Sequence, residues 1–316
     1  MGYVMDPETA AVLAEFEQRF ADVPVPERGD WKTLRENGNA NQEYLATLVP
    51  PAPDVRSTSF FTTTAADDAS IELRWYTKDG VNPGSAVVYA HGGGLIIANV
   101  DLYGPWVSWY VAMTGVPFLS VEYRLAPEAT GTTPAEDAFA GLTWLIEHAT
   151  GLGVDPSRIA IMGDSAGGGI AAGAAILARD RRVPLARQIL VYPMLDDREP
   201  PPQPAIEPFL TWTQDSNHTG WQALLGEDIG GPNVSPVAAP ARLTDFAGLA
   251  PAYVDVGDLD IFRDEDIAYA QALAKAGVPV ELHVYPGAPH GFERFAPGSA
   301  LAQRAMAERW RVLRAL

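Results

Sequence analysis

The stretch Gly163-Asp164-Ser165-Ala166-Gly167 sets a serine among small residues, after the apolar run Ile159–Met162 and before the small-residue run Gly168–Ala178. A serine on a sharp strand-to-helix turn presents its hydroxyl outward, and glycines flank it because a side chain there would strike neighbouring backbone. The positive end of the following helix favours an oxyanion developing at that point. The stretch also reads in two other ways. Ser165 could be incidental to a glycine-rich helix start, and Gly167, Gly169 and Gly173, with Asp196 beyond the next strand, loosely match a dinucleotide loop. The mid-chain position and the small-residue helix explain those glycines more simply as close helix–sheet packing.

His91-Gly92-Gly93-Gly94 follows the apolar run Ala86–Ala90, so successive amides can aim into one cleft as an oxyanion hole. A serine nucleophile also needs a base, and the chain has five histidines. For a nucleophile on such a turn the usual chain order is Ser, then Asp or Glu, then His, which removes His91 and His148. His283 lies inside the strand-like run Val280–Tyr285 and His218 in an irregular segment. His290 is left, in the loop Gly287–Phe292 just after a strand. The acid should end the penultimate strand, where Ala252–Val256 leads into a segment holding Asp258, Asp260, Asp264, Glu265 and Asp266. The last three suit the first turn of the next helix, where carboxylates complement the dipole. Asp258 and Asp260 compete, and spacing alone does not separate them.

The elements that must hold these groups follow a regular rhythm. Short runs rich in Phe, Thr, Val, Ile and Tyr, at Ser57–Thr64, Ile71–Tyr76 and Ala86–Tyr89, read as strands. Thereafter strand-like runs alternate with helix-length stretches: Phe118–Tyr123 with Ala135–His148, Arg158–Met162 with Ala166–Arg179, Gln188–Tyr192, Ala252–Val256 with Glu265–Ala276, and Val280–Tyr285 with Ala300–Leu316. This alternation predicts a doubly wound α/β fold, a mainly parallel sheet with helices on both faces. Residues 1–50 read as helical pieces broken by Pro24, Pro26 and Gly29. Between residues 196 and 233 the rhythm stops at a proline-rich stretch followed by Phe209, Trp212 and Trp221. These two segments are expected to form a cap over core parts 51–195 and 234–316, with Phe16, Phe20 and the three later aromatics available to line an entrance. Ordinary core packing would explain the same aromatics.

Composition excludes several classes. The 316 residues include 40 acidic and 22 basic side chains, a formal charge of -18 that repels nucleic acid and anionic lipid. With no cysteine there is neither a disulfide nor a thiolate nucleophile, and neither a metal site nor a cofactor is expected. No apolar run reaches bilayer-spanning length, so no stable membrane insertion is expected, and the polar start predicts an unexported, cytoplasmic protein.

Together His91–Gly94, Tyr123-Arg124-Leu125-Ala126-Pro127-Glu128, Gly163–Gly168, Asp260–Glu265 and His290-Gly291-Phe292 resemble the hormone-sensitive-lipase-like esterases, bacterial family IV, over about residues 55–316. The resemblance implies an α/β-hydrolase fold with a helical cap. It places the catalytic acid at Asp260, with Ile261-Phe262 standing where the family has Pro-Leu, beside Ser165 and His290. It implies that amides of Gly92, Gly93 and Ala166 form the oxyanion hole, that His91 is structural, and that Tyr123, Arg124 and Glu128 are scaffold. Leu95 follows the glycine run where the family commonly has an aromatic residue, and Ala129–Thr133 replaces its usual His-Pro-Phe. Leu95, Phe209, Trp212 and Phe292 are the expected substrate contacts. The implied activity is serine carboxylesterase on a small, short- to medium-chain ester, and a homodimer is compatible with it. Hydrolysis of a lactone, carbamate or amide by the same triad is the nearest alternative. A non-catalytic small-ligand receptor is the alternative from another class, disfavoured because His290 is present.

Overall fold

A computed structural model describes residues 2–316. Its centre is an eight-stranded sheet in the order β1-β2-β4-β3-β5-β6-β7-β8. Strands β1 (Val55–Thr63) and β2 (Ser70–Lys78) form an antiparallel hairpin, and β2 also pairs antiparallel with β4 (Phe118–Val121). From β4 onward, β3 (Ala86–Ala90), β5 (Ile159–Asp164), β6 (Arg187–Val191), β7 (Ala252–Gly257) and β8 (Val280–Tyr285) run parallel. The expected parallel sheet is therefore present, with the hairpin as its antiparallel margin.

Burial explains the sequence patterns. β3, β5 and β7 are buried along their whole length, as strands covered on both faces must be, whereas the edge strands differ: β1 has no buried residue and β8 only Tyr285. Each fully buried Val, Leu or Ile, such as Val88, Ile161 or Val254, contributes about 1.5–3 kcal/mol. Two helices precede the sheet. α1 (Pro7–Arg19) is capped by the Asp6 carboxylate, which accepts from Thr9 N, and α2 (Trp31–Ala46) by Asp30, which accepts from Thr33 N.

One long helix was not expected from the sequence. α3 (Val100–Thr114) has Gly104-Pro105 inside it, a pair that reads as a breaker. The Asn99 side chain accepts from Leu102 N and starts the helix, and Val107 and Val111 then bury it against the sheet. Tertiary burial outweighs the local penalty. The remaining helices are α4 (Thr133–His148), α5 (Ala166–Asp180), α6 (Gln214–Leu225) in the proline-rich segment, α7 (Arg263–Lys275), the single turn α8 (Phe292–Phe295) and α9 (Ala300–Arg314). Among the described residues, no helix is long and apolar enough to cross a membrane.

Candidate active site

Ser165 occupies the step from β5 into α5 with φ 55° and ψ −122°, backbone that a residue with a Cβ adopts only under strain of about 1–3 kcal/mol. The surroundings leave no alternative. A Cβ on Gly163 would lie 2.0 Å from Gly167 O, and one on Gly167 would lie 2.1 Å from Ala90 O. Ser165 N–H donates to Val191 O at the end of β6 (2.9 Å), tying the turn to the sheet.

The loops after β7 and β8 bring two further groups to this hydroxyl. His290 Nδ1–H donates to Asp260 Oδ2 at 2.7 Å, and Ser165 Oγ–H donates to His290 Nε2 at 2.9 Å. Because buried Asp260 can only accept there, the hydrogen-bond network assigns the proton to Nδ1 and leaves Nε2 as the acceptor. Asp260 Oδ1 is in turn fixed by Phe262 N–H (3.0 Å). The imidazole is gripped by edge-on contacts with Tyr192, 4.7 Å between centroids, and Phe262, 5.1 Å. Buried Arg309 pairs with Asp255 of β7 and with Glu293 of α8, linking the strand that ends near Asp260 to the turn that follows His290.

The competing acids go elsewhere. Asp258 accepts from Gly287 N–H (2.7 Å), and Asp264 pairs with Arg263 at the surface. Glu265 lies in the first turn of α7 as expected, but its carboxylate accepts from Leu195 and Asp196 N–H, bracing the loop after β6. Asp266 is fully buried, neither carboxylate oxygen has a hydrogen-bond partner among the described residues, and desolvation pushes its pKa well up.

Amides of Gly92, Gly93 and Ala166 donate to no protein group among the described residues. Gly93 (φ 125°) lies so close to the chain ahead that a Cβ would meet Ile97 O at 2.3 Å. His91 is buried, stacked on Tyr123 at 4.3 Å, and burial holds its pKa down to about 4. Tyr123 Oη–H donates to His91 O (2.7 Å), Arg124 binds buried Asp137, and Glu128 forms a two-point ion pair with Arg35 of α2.

Ser165 and His290 open into a cavity of about 330 Å³. Phe16, Phe20 and Leu34 from the N-terminal segment and Trp212 from the proline-rich segment line it, together with Ile97 and Phe295. Three of the expected substrate contacts are not on this wall. Left-handed backbone at Leu95 (φ 71°) turns that side chain into the core, and Ile97 stands in the cavity instead. Phe292 follows the left-handed Gly291 and packs on Tyr285, fully buried. Phe209 sits half-buried in the 3-10 turn Glu207–Phe209, off the cavity. Trp221, also considered for the entrance, is buried in the core. The polar side of the cavity, Arg294 with Gln42, Asn41 and Asn37, was not anticipated. Arg294 Nη2–H donates to Gln42 Oε1 (2.5 Å), and its guanidinium lies 4.0 Å from the Tyr103 ring centroid and 3.5 Å from Asp164 Oδ2. Nothing in the local sequence links positions so far apart.

A model described as alpha/beta hydrolase fold matches residues 87–294, about two thirds of the chain. The chain belongs to the α/β-hydrolase family. Within it, the chain is 38% identical over 223 residues to carboxylesterase NlhH of Mycobacterium tuberculosis, covering 66% of this chain and 67% of that one. It is 33% identical over 261 residues to ethyl acetate hydrolase of Pseudomonas putida, covering 80% and 81%. Among solved structures, a bacterial heroin esterase superposes with a TM-score of 0.88 at 35% identity, over 99% of this chain and 98% of that one. The resemblance to hormone-sensitive-lipase-like family IV esterases drawn from the motifs agrees with these relatives.

Proposed function

We propose that this protein is a serine carboxylesterase acting on small, short- to medium-chain esters, with Ser165, His290 and Asp260 as its triad. The hydrogen-bonded chain from Asp260 through His290 to Ser165, opening onto a largely apolar cavity, carries the reading. His290 Nε2 takes the hydroxyl proton as Ser165 Oγ attacks the ester carbonyl carbon, and Asp260 stabilises the imidazolium that forms. The oxyanion is held by the Gly92, Gly93 and Ala166 amides. His290 then returns the proton to the departing alcohol, leaving an acyl-enzyme, and a water deprotonated by His290 releases the acid. Segments 1–50 and 196–233 act as a cap over the core parts 51–195 and 234–316, and the apolar side chains they bring to the cavity hold the ester's hydrocarbon.

A fluorophosphonate probe should label Ser165, and Ser165→Ala should abolish both labelling and hydrolysis of p-nitrophenyl butyrate. An adduct at another residue, or activity surviving the substitution, overturns the assignment. Labelling of Ser165 without turnover of any ester in a panel would instead favour a carbamate, lactone or amide as substrate, and a folded protein whose Ser165 stays unlabelled would favour a receptor.

A further inference from the structure

The loop after β3 departs from ordinary backbone four times, at Gly93 (φ 125°), Gly94 (56°), Leu95 (71°) and Ala98 (73°). Leu95 and Ala98 carry a Cβ, so left-handed backbone there is strained and persists only where neighbours over-determine it. Leu95 O accepts from Ala126 N–H (3.0 Å), and α2 holds the residues that follow. Arg35 Nε–H donates to Ile96 O and Nη2–H to Ala126 O, both at 2.6 Å, while the guanidinium is braced by Glu128. Asn39 Oδ1 accepts from Ala98 N–H at 2.9 Å. Between these two contacts, Gly38 lies so close that a Cβ would come within 2.5 Å of Ile97. α2 thus grips three consecutive residues, Ile96 to Ala98.

That grip reaches the glycine run directly. Ile96 N–H (3.1 Å) and Ile97 N–H (2.9 Å) both donate to Gly93 O, so a shift of Ile96 or Ile97 pulls on the Gly93 carbonyl and, across the Gly93 Cα, turns the Gly93 amide on its other side. We propose that Arg35 and Asn39 are positioning residues that hold the oxyanion-binding amides in register, so that α2 contributes to transition-state stabilisation as well as to the cavity wall. This rests on the reading of the Gly92 and Gly93 amides as oxyanion donors. Oxyanion stabilisation depends on donors set in advance where charge develops, and small misplacements are amplified in rate.

The test uses the full chain with Asn39→Ala, Asn39→Asp and Arg35→Lys. Aspartate retains an acceptor for Ala98 N–H, whereas lysine cannot serve two carbonyls and Glu128 as a fork does. For each variant, kcat and KM on p-nitrophenyl butyrate, the thermal midpoint and the affinity of an alkyl boronic acid are measured, the last reporting a tetrahedral adduct on Ser165. Asn39→Ala and Arg35→Lys are expected to lower kcat ~10–100-fold, with KM changed less than ~3-fold and boronate affinity falling in step. Asn39→Asp is expected to restore kcat to within ~3-fold of the parent. Variants that keep kcat and boronate affinity and lose only thermal midpoint overturn the proposal while leaving a Ser165-labelled hydrolase intact. Failure of the parent protein to label at Ser165 overturns both readings.

Discussion

Asp260 Oδ2 lies 2.7 Å from His290 Nδ1, while Asp258, two residues earlier, spends its carboxylate on Gly287 N–H. Both acids follow the same strand, yet only one can fix the imidazole tautomer. Asp260→Asn should therefore lower kcat by about 10⁴-fold, because an amide can donate where the carboxylate accepts and so favours the wrong tautomer. Asp258→Asn should cost less than about tenfold, through the turn at Gly287 alone. Steady-state kinetics on the two variants checks the assignment, and a reversed ranking would make Asp258 the acid.

His91 makes stability depend on pH. Burial holds its folded pKa down to about 4 from the ordinary 6.5, so between those values the unfolded chain binds a proton that the folded protein refuses. This contribution is fully present above pH 6.5 and is lost as pH falls toward 4, amounting to at most about 3 kcal/mol. Urea midpoints should decline over that range, and His91→Phe, which keeps a ring against Tyr123, should decline less steeply. Parallel curves for the two proteins would show that His91 is not held neutral.

Asp266 carries the opposite sign. Its carboxyl is buried without a partner among the described residues, and Glu265 and Asp260 nearby add to the desolvation that raises its pKa well above 3.8. A carboxyl raised in this way supports folding only below its unfolded pKa, and that support drains as pH climbs toward the folded value. Asp266→Asn removes the titration at nearly constant shape, so the variant should gain about 1–3 kcal/mol over the parent at pH 8 and less at pH 5. Thermal or urea melts at the two pH values read this out. A loss at pH 8 would mean that the charged carboxylate has a partner there.

What could be read from the chain was whatever depends on local backbone. The turn at Ser165 was legible because only small residues fit where Gly163 and Gly167 lie against neighbouring backbone, and that demand leaves a mark at fixed spacing. The buried strands were legible because two covered faces require unbroken apolar runs. α3 was not, since Gly104-Pro105 is a local signal for breaking and the burial that overrides it comes from distant strands. The choice of Asp260 needed family resemblance, as spacing left Asp258 equal to it.

Cavity contents were the least legible part. Leu95 and Phe292 adjoin recognisable motifs, but adjacency along the chain does not say which way a left-handed residue turns its neighbour, and both point into the core. Arg294 meets Gln42 across 252 positions, and Arg35 reaches Ile96 across 61. By itself the sequence determined the turn at Ser165, the glycine loop and the layered sheet, because each follows from the sterics and burial of a few adjacent residues, while His290 was singled out by chain order. The motif resemblance points to Asp260; only the tertiary structure decided where the other acids go, what lines the cavity and what grips the loop after β3, because those contacts arise where separate elements pack and no local pattern encodes them.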